Sequence, residues 1–205
     1  DVKRGEKPQV TLFLLNAGKK DYAPELLHLP NYLTAKAEPA TIRPGRVGKL
    51  VVTLKSNLLH GLGLTQSSVY LSRFAGDRVN KDNELGISVT LLPNFTAAEL
   101  SSPQAPLAEM ATDVDLGAFN GKSKLKGIVL LANKGQSPLE IKMLQVYNPG
   151  LSVSLPKTTL RPGETTEMKI VVSTAVDRFR GSRKVLLITN DPRHPKILVN
   201  VITKK

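Results

Sequence analysis

The side chains best suited to chemistry are few and scattered along this chain. The three histidines, His28, His60 and His194, lie in three separate segments and read as loop or strand-end residues, with no carboxylate placed at ligand spacing. Asp113 and Asp115 alternate on one strand face, where they could begin a cation site. Calcium takes six or more oxygens, however, so two carboxylates read instead as an exposed face. Asn190-Asp191-Pro192 reads as an Asx-type turn. Asn94-Phe95-Thr96 fits a glycosylation sequon, which matters only in a eukaryotic secretory setting. Gly61-Leu62-Gly63 lacks the third glycine of a phosphate-cradling loop, and no nucleophile elbow or Walker-type loop occurs. The chain has no cysteine, which excludes disulfides, thiolate metal sites and a cysteine nucleophile. The expectation is therefore a protein that is not an enzyme, with no catalytic, cofactor-binding or metal residue to nominate and no cofactor.

Charge supplies the remaining candidates. The formal net charge is +12, and it divides as +5 over residues 1–94 (13 basic, 8 acidic), −1 at Glu99 and +8 over residues 107–205 (16 basic, 8 acidic). Most charges stand singly on alternating strands, as on a solvated sheet face. Two clusters stand out as contacts for an anionic partner: Lys122, Lys124 and Lys126 alternate along one strand, and Arg178, Arg180, Arg183 and Lys184 gather at a turn. A nucleic-acid reader would interleave aromatics or present a recognition helix, and neither pattern is present. Nucleic acid is therefore set aside, while a protein or an anionic polysaccharide stays open.

The elements that position these residues follow from an internal repeat. Asn16-Ala17-Gly18 recurs as Asn133-Lys134-Gly135, and Ile42-Arg43-Pro44-Gly45 recurs as Leu160-Arg161-Pro162-Gly163. Gly5 and Gly121 open the two copies. Val10, Leu12 and Leu14 alternate on one face, and Leu125, Ile128 and Leu130 do so less regularly. Each run ends at an Asn-x-Gly expected to supply positive φ. Arg-Pro-Gly fixes a bend, because Pro sets φ near −65° and Gly accepts the positive φ of a type II turn. Strands then leave with period two: Leu50, Val52 and Leu54 in one copy, Met168, Ile170 and Val172 in the other. Val185–Thr189 and Ile197–Ile202 close the second copy, while Phe74–Glu84 forms an enlarged loop in the first.

Short strands and almost no helical periodicity predict an all-β protein of two tandem immunoglobulin-like β-sandwich domains. Their expected bounds are 1–94 and 107–205, joined by a linker over 95–106 in which Ala97–Leu100 makes one helical turn. The second copy has an opening strand at Met110–Leu116, whereas the first reaches Gly5 after four residues. Its opening strand is thus missing from this sequence: either upstream residues supply it or, as expected, the first sandwich has an open edge prone to self-association or to pairing with a partner strand.

A strand opening at glycine, Asn-x-Gly, Ser137–Leu139, Leu160–Glu164 and Thr189–Pro192 together resemble domain-of-unknown-function repeats common in Bacteroidetes. Those repeats are relatives of Hydin-type and major-sperm-protein-like immunoglobulin folds. The resemblance spans nearly all of residues 107–205 and, more faintly, 1–92. It implies tandem seven-stranded sandwiches exported to the periplasm or outer surface, without established catalytic activity. Many such repeats carry Cys-Gly-Cys; Leu29–Ala35 and Val146–Val153 have no cysteine, so any redox or metal role implied by that motif is lost. No apolar run approaches the roughly 20 residues of a membrane helix, and an upstream signal segment is inferred from the start at Asp1. The functional expectation is an envelope binding or scaffolding module working through strand edges and loops. The alternative is a structural spacer that positions another domain.

Overall fold

Both Arg-Pro-Gly bends form as their chemistry dictates. In the computed structural model, which describes residues 1–174 and 183–204, Gly45 and Gly163 sit at φ 70° and 77°. Arg46 N–H donates to Arg43 O at 3.1 Å and Glu164 N–H to Arg161 O at 3.0 Å, closing each turn. The described residues fall into two compact units, Asp1–Gly61 with Thr65–Leu91, and Leu92–Lys205 with Leu62–Leu64.

The first unit holds β1 (Val2–Lys3), β2 (Gln9–Leu15), β3 (Glu25–Leu27), β4 (Leu33–Glu38), β5 (Val47–Leu54), β6 (Gly63–Ser72) and β7 (Glu84–Leu92). They form a four-stranded sheet in the order β1-β7-β6-β3 and a three-stranded sheet in the order β2-β5-β4. Ile42, Leu50, Val69 and Leu91 are fully buried in its core. Between β6 and β7, Asp77 fastens the enlarged loop by accepting from Arg73 N–H at 3.0 Å and Arg73 Nε at 2.8 Å. The guanidinium holds the Asp77 carboxyl well below the usual carboxylate range. A depressed folded-state pKa contributes order that is complete above the unfolded value and lost as pH falls through the folded one. We therefore expect the amides of residues 73–77 to keep their exchange protection down through the ordinary aspartate range and to lose it only below that range, whereas Asp77→Asn removes this pH step.

One helical turn, α1 (Ala97–Ser101), follows with a reciprocal capping box between Thr96 and Glu99. The second unit is built from β8 (Ala108–Met110), β9 (Asp113–Ala118), β10 (Lys124–Asn133), β11 (Leu139–Val146), β12 (Leu151–Ser154), β13 (Thr159–Leu160), β14 (Thr165–Ser173), β15 (Arg183–Thr189) and β16 (Lys196–Lys204). One sheet runs β12-β14-β10-β8 and the other β13-β11-β15-β16-β9. Leu131, Leu139, Leu160, Met168, Ile170 and Leu187 lie fully buried between them. Among residues read as linker, 104–106 are docked on this unit: Ser137 Oγ donates to Gln104 O, and Gln136 N–H to Ala105 O.

Three sequence-based expectations change. Neither Asn-x-Gly glycine adopts positive φ. Instead the asparagine is a buried clasp: Asn16 Nδ2 donates to Lys20 O at 2.8 Å and Ile42 O at 2.7 Å, and Asn133 Nδ2 to Ser137 O at 2.8 Å and Leu160 O at 3.0 Å. The bend glycine closes the same clasp, since Gly45 N–H donates to Asn16 O and Gly163 N–H to Asn133 O, both at 2.8 Å. The two repeated motifs are therefore one structural device, made twice. On β10 the inward residues are Leu125, Gly127, Val129 and Leu131, so Ile128 and Leu130 face outward. Gly127 falls on the inward face by strand alternation, and a Cβ there would meet Leu116 Cδ2 at 2.3 Å. In the first unit a two-residue stub, β1, stands where no opening strand was expected; it pairs with β7, as β9 pairs with β16.

Candidate interaction surfaces

Period-two geometry puts Lys124, Lys126, Ile128 and Leu130 on the outer face of β10, with Lys122 exposed just before it. Lys124 stands opposite Ser173 and Lys126 opposite Val171, and Lys169 extends the same face opposite Ile128. None of Lys122, Lys124 and Lys126 pairs with a carboxylate among the described residues.

The second basic cluster divides. Arg183 is only 7% exposed, and its Nη1 donates to Thr203 Oγ1 at 2.9 Å across the strand pair, so it is an interior side chain and not a surface contact. It opens β15, a run buried on both faces, where a cation persists only when its donors are satisfied. Lys184 is half-buried, and its N–H donates to Asn148 Oδ1 at 3.2 Å. Arg178 and Arg180 lie outside the described residues. The structure thus brings together the three lysines of β10 and its approach, and separates them from Arg183 and Lys184 on the other sheet.

Asp113 and Asp115 are spent on local structure. Asp113 Oδ1 accepts from Asn200 Nδ2 at 2.9 Å; Asp115 Oδ1 accepts from Gly117 N–H at 2.8 Å, and its Oδ2 pairs with Lys204 at 3.2 Å. The Gly117 amide and then Lys204 hold the Asp115 carboxyl below its ordinary value. No group of three or more metal-ligating side chains occurs among the described residues. His28 sits edge-on to Tyr70 with centroids 5.4 Å apart.

His194 does have a carboxylate partner that the sequence reading overlooks: its Nδ1 lies 2.9 Å from Asp191 Oδ2. Asp191 is fully buried, accepts from Arg193 N–H at 2.8 Å through Oδ1, and accepts from Ala108 N–H at 2.9 Å through Oδ2. Its i to i+2 bond is the Asx turn. The bond to Ala108, 83 residues earlier in the chain, ties the opening strand to the β15–β16 corner, which no local pattern signals.

An apolar groove lies in the first unit. About 600 Å³ in volume, it opens between the unit's two sheets, lined by Val10, Leu12, Leu26, Leu33, Val69 and Ile87 among others. Val10 is 63% exposed there, contrary to the inward, buried face expected for β2. On the opposite face of β2 and β5, Phe13, Leu15 and Val47 are also exposed, Phe13 at 76%.

Residues 106–202 match the HYDIN/CFA65/VesB-like, Ig-like domain. No curated protein matches the chain. Among solved structures, a protein of unknown function from Porphyromonas gingivalis W83 aligns over 100% of this chain and 94% of its own, at 20% identity and a TM-score of 0.72, a shared fold across both units. The VesB protease of Vibrio cholerae aligns over 86% of this chain and 64% of its own, at 10% identity and a TM-score of 0.41.

Proposed function

We propose, from the premise that residues 106–202 are an Ig-like domain of the HYDIN/CFA65/VesB-like family, that this chain is a non-catalytic binding or scaffolding module of a bacterial cell envelope. The observation that carries this reading is the first unit's surface. β2 lies at the edge of its sheet, and Phe13, Leu15 and Val47 are exposed together on one face of it and of β5, with Val10 exposed on the other. An apolar cluster beside an unpaired strand edge is the kind of surface that another polypeptide covers. Export to the periplasm or outer surface belongs to the same reading.

Retention of envelope proteins on the immobilised chain tests it. Phe13→Ser with Leu15→Ser changes two exposed side chains and leaves the core intact, so folding is preserved while retention falls about tenfold, as for loss of an apolar anchor. Unchanged retention would favour the spacer reading.

A second reading rests on a different observation, the exposed Lys122, Lys124 and Lys126, which pair with no carboxylate among the described residues, beside Lys169. Such a face attracts anionic polysaccharide through screened charge. Replacing the three lysines by serine is expected to move elution from an anionic polysaccharide column to clearly lower salt. Elution at the same salt would remove that reading and leave the apolar surface alone.

A further inference from the structure

The outer face of the sheet β12-β14-β10-β8 carries charges of both signs, sorted along its strands. On β10 the outward residues run from Lys124 and Lys126 through Ile128 and Leu130 to Ala132. Antiparallel β14 puts Lys169 opposite Ile128 and Glu167 opposite Leu130, and β8 puts Glu109 opposite Ala132. The lysines therefore stand toward one end of the face and the carboxylates of Glu167 and Glu109 toward the other. Ile128 and Leu130, 56% and 58% exposed, lie between them. Glu109, Glu167 and Lys169 are exposed and, like Lys124 and Lys126, form no ion pair among the described residues.

A face sorted in this way complements a copy of itself turned end for end. Two such faces in contact are related by a two-fold axis that runs either along the strands or across them. An axis along the strands sets Lys169 on Lys169 and Glu167 on Glu167, like charge on like. An axis across the strands, level with Val129, sets Lys169 on Glu167 of the second copy and Glu167 on its Lys169. The same rotation brings Ile128 onto Leu130 of the second copy, and Lys126 to the level of its Ala132, beside its Glu109. Sheets stacked face to face lie about 10 Å apart, a gap that a lysine and a glutamate bridge between them. Lys122, Lys124 and Lys134 fall beyond the matched span, at its rim.

We infer that two copies of the chain associate through this face, strands antiparallel, with Ile128 and Leu130 at the centre and reciprocal Lys169–Glu167 pairs beside them. Other occupants match it less well. A polyanion drawn to the lysines also meets Glu167 and Glu109, and it gains nothing from the two exposed aliphatics. A second copy uses all three features at once, and each contact is made twice. The sandwich itself has no use for these aliphatics, since the core is filled from the other side of β10 by Leu125, Val129 and Leu131. The inference goes beyond the binding readings above, which rest on the first unit's surface and on Lys122, Lys124 and Lys126.

Sedimentation equilibrium of the whole chain over a range of concentrations tests this. A reversible monomer–dimer equilibrium that weakens with added salt is expected. Lys169→Glu and Glu167→Lys each set like charges together at both pairs, so either one raises the dimer dissociation constant about tenfold or more. An equimolar mixture of the two variants restores opposite charges at both pairs and recovers the dimer, as does one chain carrying both changes. That recovery separates loss of pairing from loss of folding, because two misfolded chains do not repair each other. Ile128→Ser with Leu130→Ser also weakens association, and mixing it with either charge variant does not restore it. A chain that stays monomeric at every concentration would overturn the inference, and its retention on an anionic column through the lysines would then give the face to a polyanion. So would a dimer indifferent to residues 167 and 169, or a mixture that fails to recover. A dimer lost instead with Phe13→Ser and Leu15→Ser would place the contact on the first unit and overturn it equally.

Discussion

Gly135→Ala is expected to destabilise the second unit by about 2–3 kcal/mol, the usual scale for forcing atoms into a packed site, while Gly18→Ala leaves the first unit nearly unchanged. The two glycines occupy the same place in the repeat. What differs is what lies against them. At Gly135 a new Cβ would stand 2.4 Å from Ala105 O and Leu107 N and 2.6 Å from Pro106 C, all backbone atoms that cannot rotate aside. At Gly18 its nearest neighbour is a side-chain oxygen at 3.2 Å. Neither glycine has positive φ, so backbone strain does not confuse the comparison. For a unit of this size the expected loss amounts to roughly 10–20 °C in melting temperature. Amide resonances report each unit separately; equal losses at both positions would show that the difference between the copies is not real.

Asp191→Ala is expected to cost a similar amount, about 2–3 kcal/mol, because it leaves the buried N–H of Ala108 and the part-buried N–H of Arg193 without their acceptor. The effect has a direction as well as a size. Loss of the bond to Ala108 frees the opening strand, so amides of Ala108 and Ala132 should exchange faster before the rest of the unit does. Asp191→Asn keeps an oxygen acceptor and should cost less. A uniform change in exchange across the unit would mean that Asp191 supports the core generally and is not a specific anchor for β8.

These two residues also show where sequence reasoning succeeds and where it stops. The Arg-Pro-Gly bends were legible because proline and glycine fix their own torsions, and Gly45 and Gly163 adopt the expected positive φ. The outward lysines of β10 were legible because strand side chains alternate. Asn16 and Asn133 were visible as a repeated motif but not as clasps, since their acceptors Ile42 and Leu160 lie 26 and 27 residues away. The Asp191 anchor spans 83 residues and had no signal at all. Arg183 was misplaced for a related reason: its partner, Thr203, lies on the neighbouring strand, and a charged residue at the start of an apolar run looks exposed until that strand is in place. Likewise, the alternation of Val10, Leu12 and Leu14 was readable, but their burial depends on a cover that the pattern itself does not encode.

One sandwich is made twice, closed by its own opening strand in the second unit and, among the described residues, left open along β2 in the first. Asn16 N–H and Asn133 N–H both bond inward across their sheets, to Arg46 O and Glu164 O. The preceding amides, Leu15 and Ala132, therefore point to the opposite edge, where Ala132 meets Glu109. Hydrogen exchange at these two amides in the unliganded chain is the most direct measurement. Strong protection at Ala132 with near-random-coil exchange at Leu15 is the predicted result; comparable protection at both would contradict the claim.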